Sequence, residues 1–372
     1  MPEVSRFRNL ARIIALLKPG ANSSHGIVSK DRWSFGTTRQ DHGWIRLTLL
    51  AAVSLCIAIA LSPAIAAATE LKPESVNSAE YSDKSPSADR ISPLVVRVQA
   101  LLARSHFSPG EIDGKFGENV KKALRAYAEA HQLPRSGELS QEIWQKLASD
   151  DQPVLMQYTI QPKDIAGPFL DKLPGKMEDM KQLAHLGYTS PRQALAGKFH
   201  MSEELLSALN PDAGKFDRTG VTITVVDAGA LDTRAPAAAR VEIDKQRQTV
   251  KAFGRSGDLI AFYPATVGSE EKPSPSGTLR VTHIDHNPTY HYNPDYHFKG
   301  VHSKTAFTIK PGPNNPVGTV WISLSAEGYG IHGTPNPGKI SKAESHGCIR
   351  LTNWDAEWLA KLVKKGTPVA FI

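Results

Sequence analysis

Near residue 237 the apolar residues of this 372-residue chain change their period, and no other feature limits the fold as much. From 94 to 147 the spacing is helical: Leu94, Val98, Leu101 and Leu102 share one face, Val120, Ala123, Leu124 and Tyr127 another, and Ile143, Trp144 and Leu147 a third. Three short helices are predicted. Past Pro236 the texture becomes short alternating or apolar runs at 241–244, 249–253, 259–267, 277–282 and 320–324, bounded by Gly and Pro. Such runs build a sandwich or barrel. One amphipathic helix, about 354–365, follows them, with Asp355 and Glu357 early, Lys361, Lys364 and Lys365 late, and Gly366 after it, as the helix dipole favours. A chain of this length exceeds what one core organises, so the expectation is a multidomain α+β protein.

The formal charge of +7 is concentrated at the start. Residues 1–66 hold 8 Lys/Arg against 3 Asp/Glu, which leaves 36 basic and 34 acidic residues beyond them. A body so nearly neutral gives no reason to expect a nucleic-acid partner. Residues 47–68 are uncharged, follow Arg46, and close on Pro63-Ala64-Ile65-Ala66-Ala67-Ala68, which offers small residues at the spacing a signal peptidase reads. We therefore read 1–68 as a leader, cleaved after Ala66 or Ala68, that sends the body out of the cytoplasm to the periplasm or wall. The alternative is an uncleaved anchor, the one route to membrane contact. Cys56 does not suit lipidation, because Leu55 stands before it and apolar residues continue after it.

Residues 69–90 are rich in Ser, Glu, Lys, Ala and Pro without apolar periodicity and read as a flexible linker. Order should begin at 91. Between the first two predicted helices lies the segment 107–117, in which Gly114 and Gly117 suit turns that other residues resist. Its Asp113-Gly114 pair and the Val98-Gln99-x-Leu101-Leu102 opening make 91–150 resemble the small helical peptidoglycan-binding domain of bacterial wall enzymes; a plain three-helix spacer is the alternative. Residues 151–236 give a strand–helix–helix–strand order through Tyr158, Phe199, the 205–211 run and the 221–225 run. That order resembles a degenerate LysM module with an insertion, and a structural connector is the alternative.

Cys348 is the only cysteine outside the leader, and once the leader is removed it has no partner for an internal disulfide. A single thiol kept in an oxidising compartment favours a chemical role over packing. Thiolate, not thiol, attacks a carbonyl, so the thiol, with a pKa starting at about 8.5, needs an imidazole or a cation nearby. His346 lies two residues away and shares a face with Cys348 in an extended segment; His332 lies 16 residues away and needs a turn, which 334–338 suits. Both are candidate bases on spacing alone. Gly347 permits the backbone turn that would aim its own amide and that of Cys348 at a developing oxyanion.

His332-Gly333-Thr334 followed by Ser345-His346-Gly347-Cys348-Ile349-Arg350-Leu351 resembles the signature of the L,D-transpeptidases, and segments 273–278 and 311–318 are similar too. The resemblance spans about 240–372, so 237–372 is read as a YkuD-type catalytic domain, the β-rich sandwich or barrel. It implies Cys348 as nucleophile and His332 as general base, oriented by the Gly333 carbonyl. His346, Gly347 and the Cys348 amide would shape the oxyanion site, and Ser345 and Arg350 would bind substrate. It implies no cofactor and no metal. The implied partners are peptidoglycan glycan and stem peptides, and the acceptor is a second stem, a lipoprotein lysine or water. An L,D-carboxypeptidase using the same acyl-enzyme, and a non-catalytic wall-binding scaffold, remain open alternatives.

Five histidines, His283, His286, His291, His297 and His302, crowd one stretch with Tyr290, Tyr292, Tyr296 and Phe298. Their spacing fits neither a helical ligand pair nor a zinc finger, so an aromatic lid over the substrate groove, on a loop flanked by Pro288 and Pro294, is expected instead of a metal site. Trp354 and Trp358, one helical turn apart, are expected in the core.

Overall fold

The computed structural model describes residues 71–372 apart from 231–235, 269–272, 297–300 and 343–346. The leader and its cleavage positions, Ser345 and His346 lie outside the described residues. All described residues belong to one compact unit, 64–372. Among them, no helix is long and apolar enough to cross a membrane.

Helices α1 (Pro93–Arg104), α2 (Glu118–Ala130) and α3 (Gln141–Leu147) form the helical part. Pro93 opens α1, where its missing N–H costs nothing, and the Ser140 side chain caps α3 by accepting from Ile143 N. The loop joining α1 to α2 is held from below. Buried Gln99 accepts from Gly114 N at 2.7 Å and donates to Asp113 Oδ1 at 2.8 Å. Gly114 sits at φ +74°, and a Cβ there would come within 2.8 Å of Ile91 and 2.9 Å of Val96, so both backbone and space demand glycine. Gly117 departs from the sequence expectation: it caps α2 at φ −86° with open space around it, a conformation any residue adopts.

Strand β1 (Leu155–Thr159) pairs antiparallel with β2 (Thr222–Val226), and helices α4 (Pro191–Lys198) and α5 (Glu203–Leu209) lie between them in sequence. Two one-turn helices, Pro162–Ile165 and Met177–Met180, occupy the insertion between β1 and α4. This part and the three helices do not have separate interiors. One apolar core runs through both, from Val76 through Leu101, Leu124, Trp144, Leu205 and Val225, and takes in Phe262 from the strands beyond.

The C-terminal strands are β3 (Arg240–Asp244), β4 (Thr249–Phe253), β5 (Leu259–Pro264), β6 (Thr266–Val267), β7 (Gly277–His286), β8 (Tyr290–Tyr292), β9 (Phe307–Ile309), β10 (Val320–Leu324), β11 (Gly330–His332), β12 (Ile349–Arg350) and β13 (Pro368–Phe371). Nine form one sheet in the order β5-β4-β3-β13-β7-β10-β11-β12-β6, and β8 with β9 makes a separate hairpin. Ten-residue β7 carries the turn of the sheet, pairing with β13 through its first half and β10 through its second. The outermost strands, β5 and β6, are separated in sequence by Ala265 alone, so the sheet curls into a barrel-like form. The sequence run 259–267 thus splits into two strands that serve opposite edges.

Helix α6 (Asn353–Leu362), capped by Thr352 through Asp355 N, packs on this sheet and buries Ala356, Trp358 and Leu359. Its outer flank meets the helical part. Trp354 stacks on His200 with centroids 5.0 Å apart, Trp358 meets His106 edge-on at 5.5 Å, and both tryptophans are buried. Backbone pairing extends this contact: Ser108 N donates to Phe262 O at 2.9 Å and Phe262 N to His106 O at 3.0 Å.

Candidate active site

Strand alternation assembles the site. Side chains opposite one another on paired strands share a face, and the register sets Asp285 opposite Trp321, Trp321 opposite His332, and His332 opposite Arg350. Four consecutive strands thus carry one row, while the neighbouring Ile322, Ile331 and Ile349 turn inward and are buried in the core. All four residues of the row line a cavity of about 510 Å³, together with Cys348, which directly precedes β12.

His332 is the most constrained of them. Its ring stacks on Trp321 with centroids 5.3 Å apart and planes 18° from parallel. Nδ1 lies 2.7 Å from the Gly333 carbonyl oxygen, which can only accept, so Nδ1 carries the proton and Nε2 keeps the basic lone pair. Burial, with the nearby Arg350 guanidinium, lowers the His332 pKa to about 3 against the opposing pull of that carbonyl. The imidazole is neutral throughout the physiological range.

Around Cys348 the backbone is unusual. Gly347 sits at φ +98° and its carbonyl accepts a 2.7 Å bond from buried Ser274 Oγ, which ties the signature turn to the 273–278 segment that also resembled the family. The Cys348 thiol is partly exposed and lies 3.6 Å from the Gly328 carbonyl oxygen. Burial also lowers the Arg350 pKa, opposed by the charges of Cys348 and Tyr290.

The cavity brings together His332, Cys348 and Arg350, and Gly333 and Gly347 stand beside them in the chain. The aromatic loop contributes Pro288, Thr289, Tyr290 and His291 to the same cavity, whereas Tyr292 turns inward to stack on Phe307 at 4.6 Å. His283 pairs with Asp285 at 2.9 Å. His297 and Phe298 lie outside the described residues, and among the described residues no three His, Cys, Asp or Glu side chains gather as metal ligands. Sequence reasoning missed Trp321, Asp285, Glu327 and Met177, all of which line the cavity. For Trp321 a signal existed: it occupies the outward phase of a strand whose Val320, Ile322 and Leu324 face the core.

Comparison with known proteins bears on this geometry. Residues 238–370 match the family described as L,D-transpeptidase catalytic domain, and residues 92–147 match one described as peptidoglycan binding domain. A Bacillus subtilis protein named L,D-transpeptidase YkuD is 30% identical over 179 residues, covering 47% of this chain and 90% of that protein. Its Bacillus licheniformis counterpart is 29% identical over 179 residues, covering 48% and 91%. Among solved structures, an L,D-transpeptidase from Mycobacterium smegmatis aligns at 19% identity with a TM-score of 0.30, over 41% of this chain and 63% of that one, just under two thirds of its length.

Proposed function

The chain belongs to the YkuD-type L,D-transpeptidase family, and on that premise we propose that it is an exported cell-wall enzyme in which Cys348 attacks a peptidoglycan stem peptide and passes the acyl group to an amine. The observation that carries this reading is the orientation of His332, whose Nδ1 proton is committed to Gly333 and whose Nε2 is therefore the basic atom in the cavity that also holds Cys348.

In this mechanism Nε2 takes the thiol proton as Sγ attacks the carbonyl of the third stem residue. The amides of Gly347 and Cys348, with His346, stabilise the tetrahedral oxyanion, and the Ser274 bond to Gly347 keeps that turn in position. Arg350 and Ser345 bind the donor stem. Collapse of the intermediate breaks the peptide bond, His332 returns its proton to the departing D-alanine amine, and a thioester remains on Cys348. The acceptor amine then attacks the thioester, gives its proton to His332 and restores the thiol. Asp285 and Glu327 on the cavity wall favour a cationic amine over water as acceptor, which supports transfer over hydrolysis. Residues 91–150 act as the wall-binding module, 151–236 as connector and 237–372 as catalytic domain.

Incubation with purified disaccharide tetrapeptide, read by mass spectrometry, tests this reading. Wild type is expected to release D-alanine and form dimers linked between third residues, and folded Cys348→Ala to do neither. Tripeptide monomers without dimers would make the protein a carboxypeptidase. Absence of both product and covalent adduct from folded wild type would make it a scaffold.

A further inference from the structure

One wall of the cysteine cleft comes from outside the catalytic strands. The insertion between β1 and α4 leaves its own module and is fastened to the catalytic part at two places. At the first, Leu186 N donates to Pro311 O at 3.0 Å, Asn314 N to Leu186 O at 2.9 Å, and Asn314 Nδ2 to Gly187 O at 2.8 Å. Contact there is close enough that a Cβ on Gly312, which sits at φ +144°, would stand 2.2 Å from the Leu186 oxygen. At the second, one carboxylate oxygen of Glu178 accepts from His302 N at 2.5 Å and Ser303 N at 3.2 Å. Lys181 Nζ lies 5.7 Å from the centre of the Phe307 ring, on which Tyr292 stacks.

Both fastenings flank the β8–β9 hairpin, whose Tyr290 and His291 line the cleft, and Met177, adjacent to Glu178, lines it too. An unbranched apolar side chain at the mouth of a cavity that also holds the nucleophile has no partner in either hydrophobic core.

We infer that this insertion is a specificity wall of the catalytic cleft: Glu178 fixes the β8–β9 hairpin, and Met177 supplies an apolar surface for an aliphatic side chain of the peptide substrate. The inference rests on the transpeptidase reading above. Met177 is a binding residue and Glu178 a positioning residue that acts through the hairpin. Contacts made equally to bound substrate and transition state set KM and leave kcat unchanged.

Two measurements test it. In steady-state turnover of the disaccharide tetrapeptide, Met177→Ala and Glu178→Ala are expected to raise KM about five- to tenfold, with kcat within about twofold. Met177→Leu restores most of the affinity, and so does Glu178→Gln, which keeps the accepting oxygen. In amide hydrogen exchange, which needs no activity, Glu178→Ala speeds exchange at His302 and Ser303 and Glu178→Gln does not. Wild type that turns over substrate while both alanine variants keep their KM, or lose kcat instead, would overturn the proposal, as would unchanged exchange in Glu178→Ala. Wild type without turnover would sink the transpeptidase reading itself, and the exchange result would still decide whether Glu178 holds the hairpin.

Discussion

Acylation of Cys348 by a strained lactam such as a carbapenem is expected to stay fast at pH 5, where most Cys–His enzymes slow. The base must be neutral to accept the thiol proton, and an imidazole with the ordinary pKa of about 6.5 is only about 3% neutral at pH 5, which implies a roughly 30-fold fall from pH 8. His332, held to about 3 by burial and by Arg350, is about 99% neutral at pH 5. The expected fall between pH 8 and pH 5 is therefore less than about twofold. Burial of this base also has a stability consequence. The folded pKa lies below the unfolded one, so its contribution is complete above about pH 6.5 and is lost as pH falls toward 3. Intact-protein mass against time at pH 5, 6, 7 and 8, with circular dichroism confirming the fold at each pH, makes the measurement. A profile that drops more than tenfold and fits a single ionisation near 6.5 in folded protein would refute the argument, and would place the base on an exposed imidazole.

Further outcomes follow from other parts of the molecule. Asp355 is fully buried, and burial raises its pKa to about 7 against hydrogen bonds from Ser108 and Thr352, so its contribution favours the fold below about pH 4 and is lost as pH rises to 7. Asp355→Asn should accordingly raise the urea midpoint at pH 8 more than at pH 5, by a ceiling of about 4 kcal/mol for a shift of about three pKa units, and equal gains at both pH values would count against it. Gly114→Ala is expected to cost about 1–3 kcal/mol in denaturant unfolding, because its Cβ meets Ile91 and Val96 at a positive φ, whereas Gly117→Ala should be nearly neutral. Deletion of residues 71–150 should yield insoluble or unfolded protein, since it strips Phe262, Leu205 and Val225 of their core partners; a soluble truncation with wild-type melting would show that the shared core is dispensable.

Some of these features were legible in the sequence and others were not, and the division has a physical cause. Helical and strand periods are local, so α1, α2, α3, β3, β4 and β10 could be read from runs of a few residues. Cys348, His332 and Gly347 were equally legible, because nucleophile chemistry and a turn needing positive φ restrict residue types at fixed spacing. Short strands with little pattern, such as β11, β12 and β13, exist only because longer neighbours pair with them. Choosing His332 over His346 on spacing alone was beyond the sequence; the parallel pairing of β11 with β12 sets His332 opposite Arg350, and the Gly333 carbonyl fixes its tautomer. The helical part looked separable because its own stripe is complete, yet folding merges that stripe with the connector into one core and docks it on Trp354 and Trp358. Met177 carried no signal at all. It reaches the cysteine cleft only because an insertion in another module is fastened there by Leu186 and Glu178, and contacts between residues more than a hundred positions apart are made by tertiary packing, which no local pattern encodes.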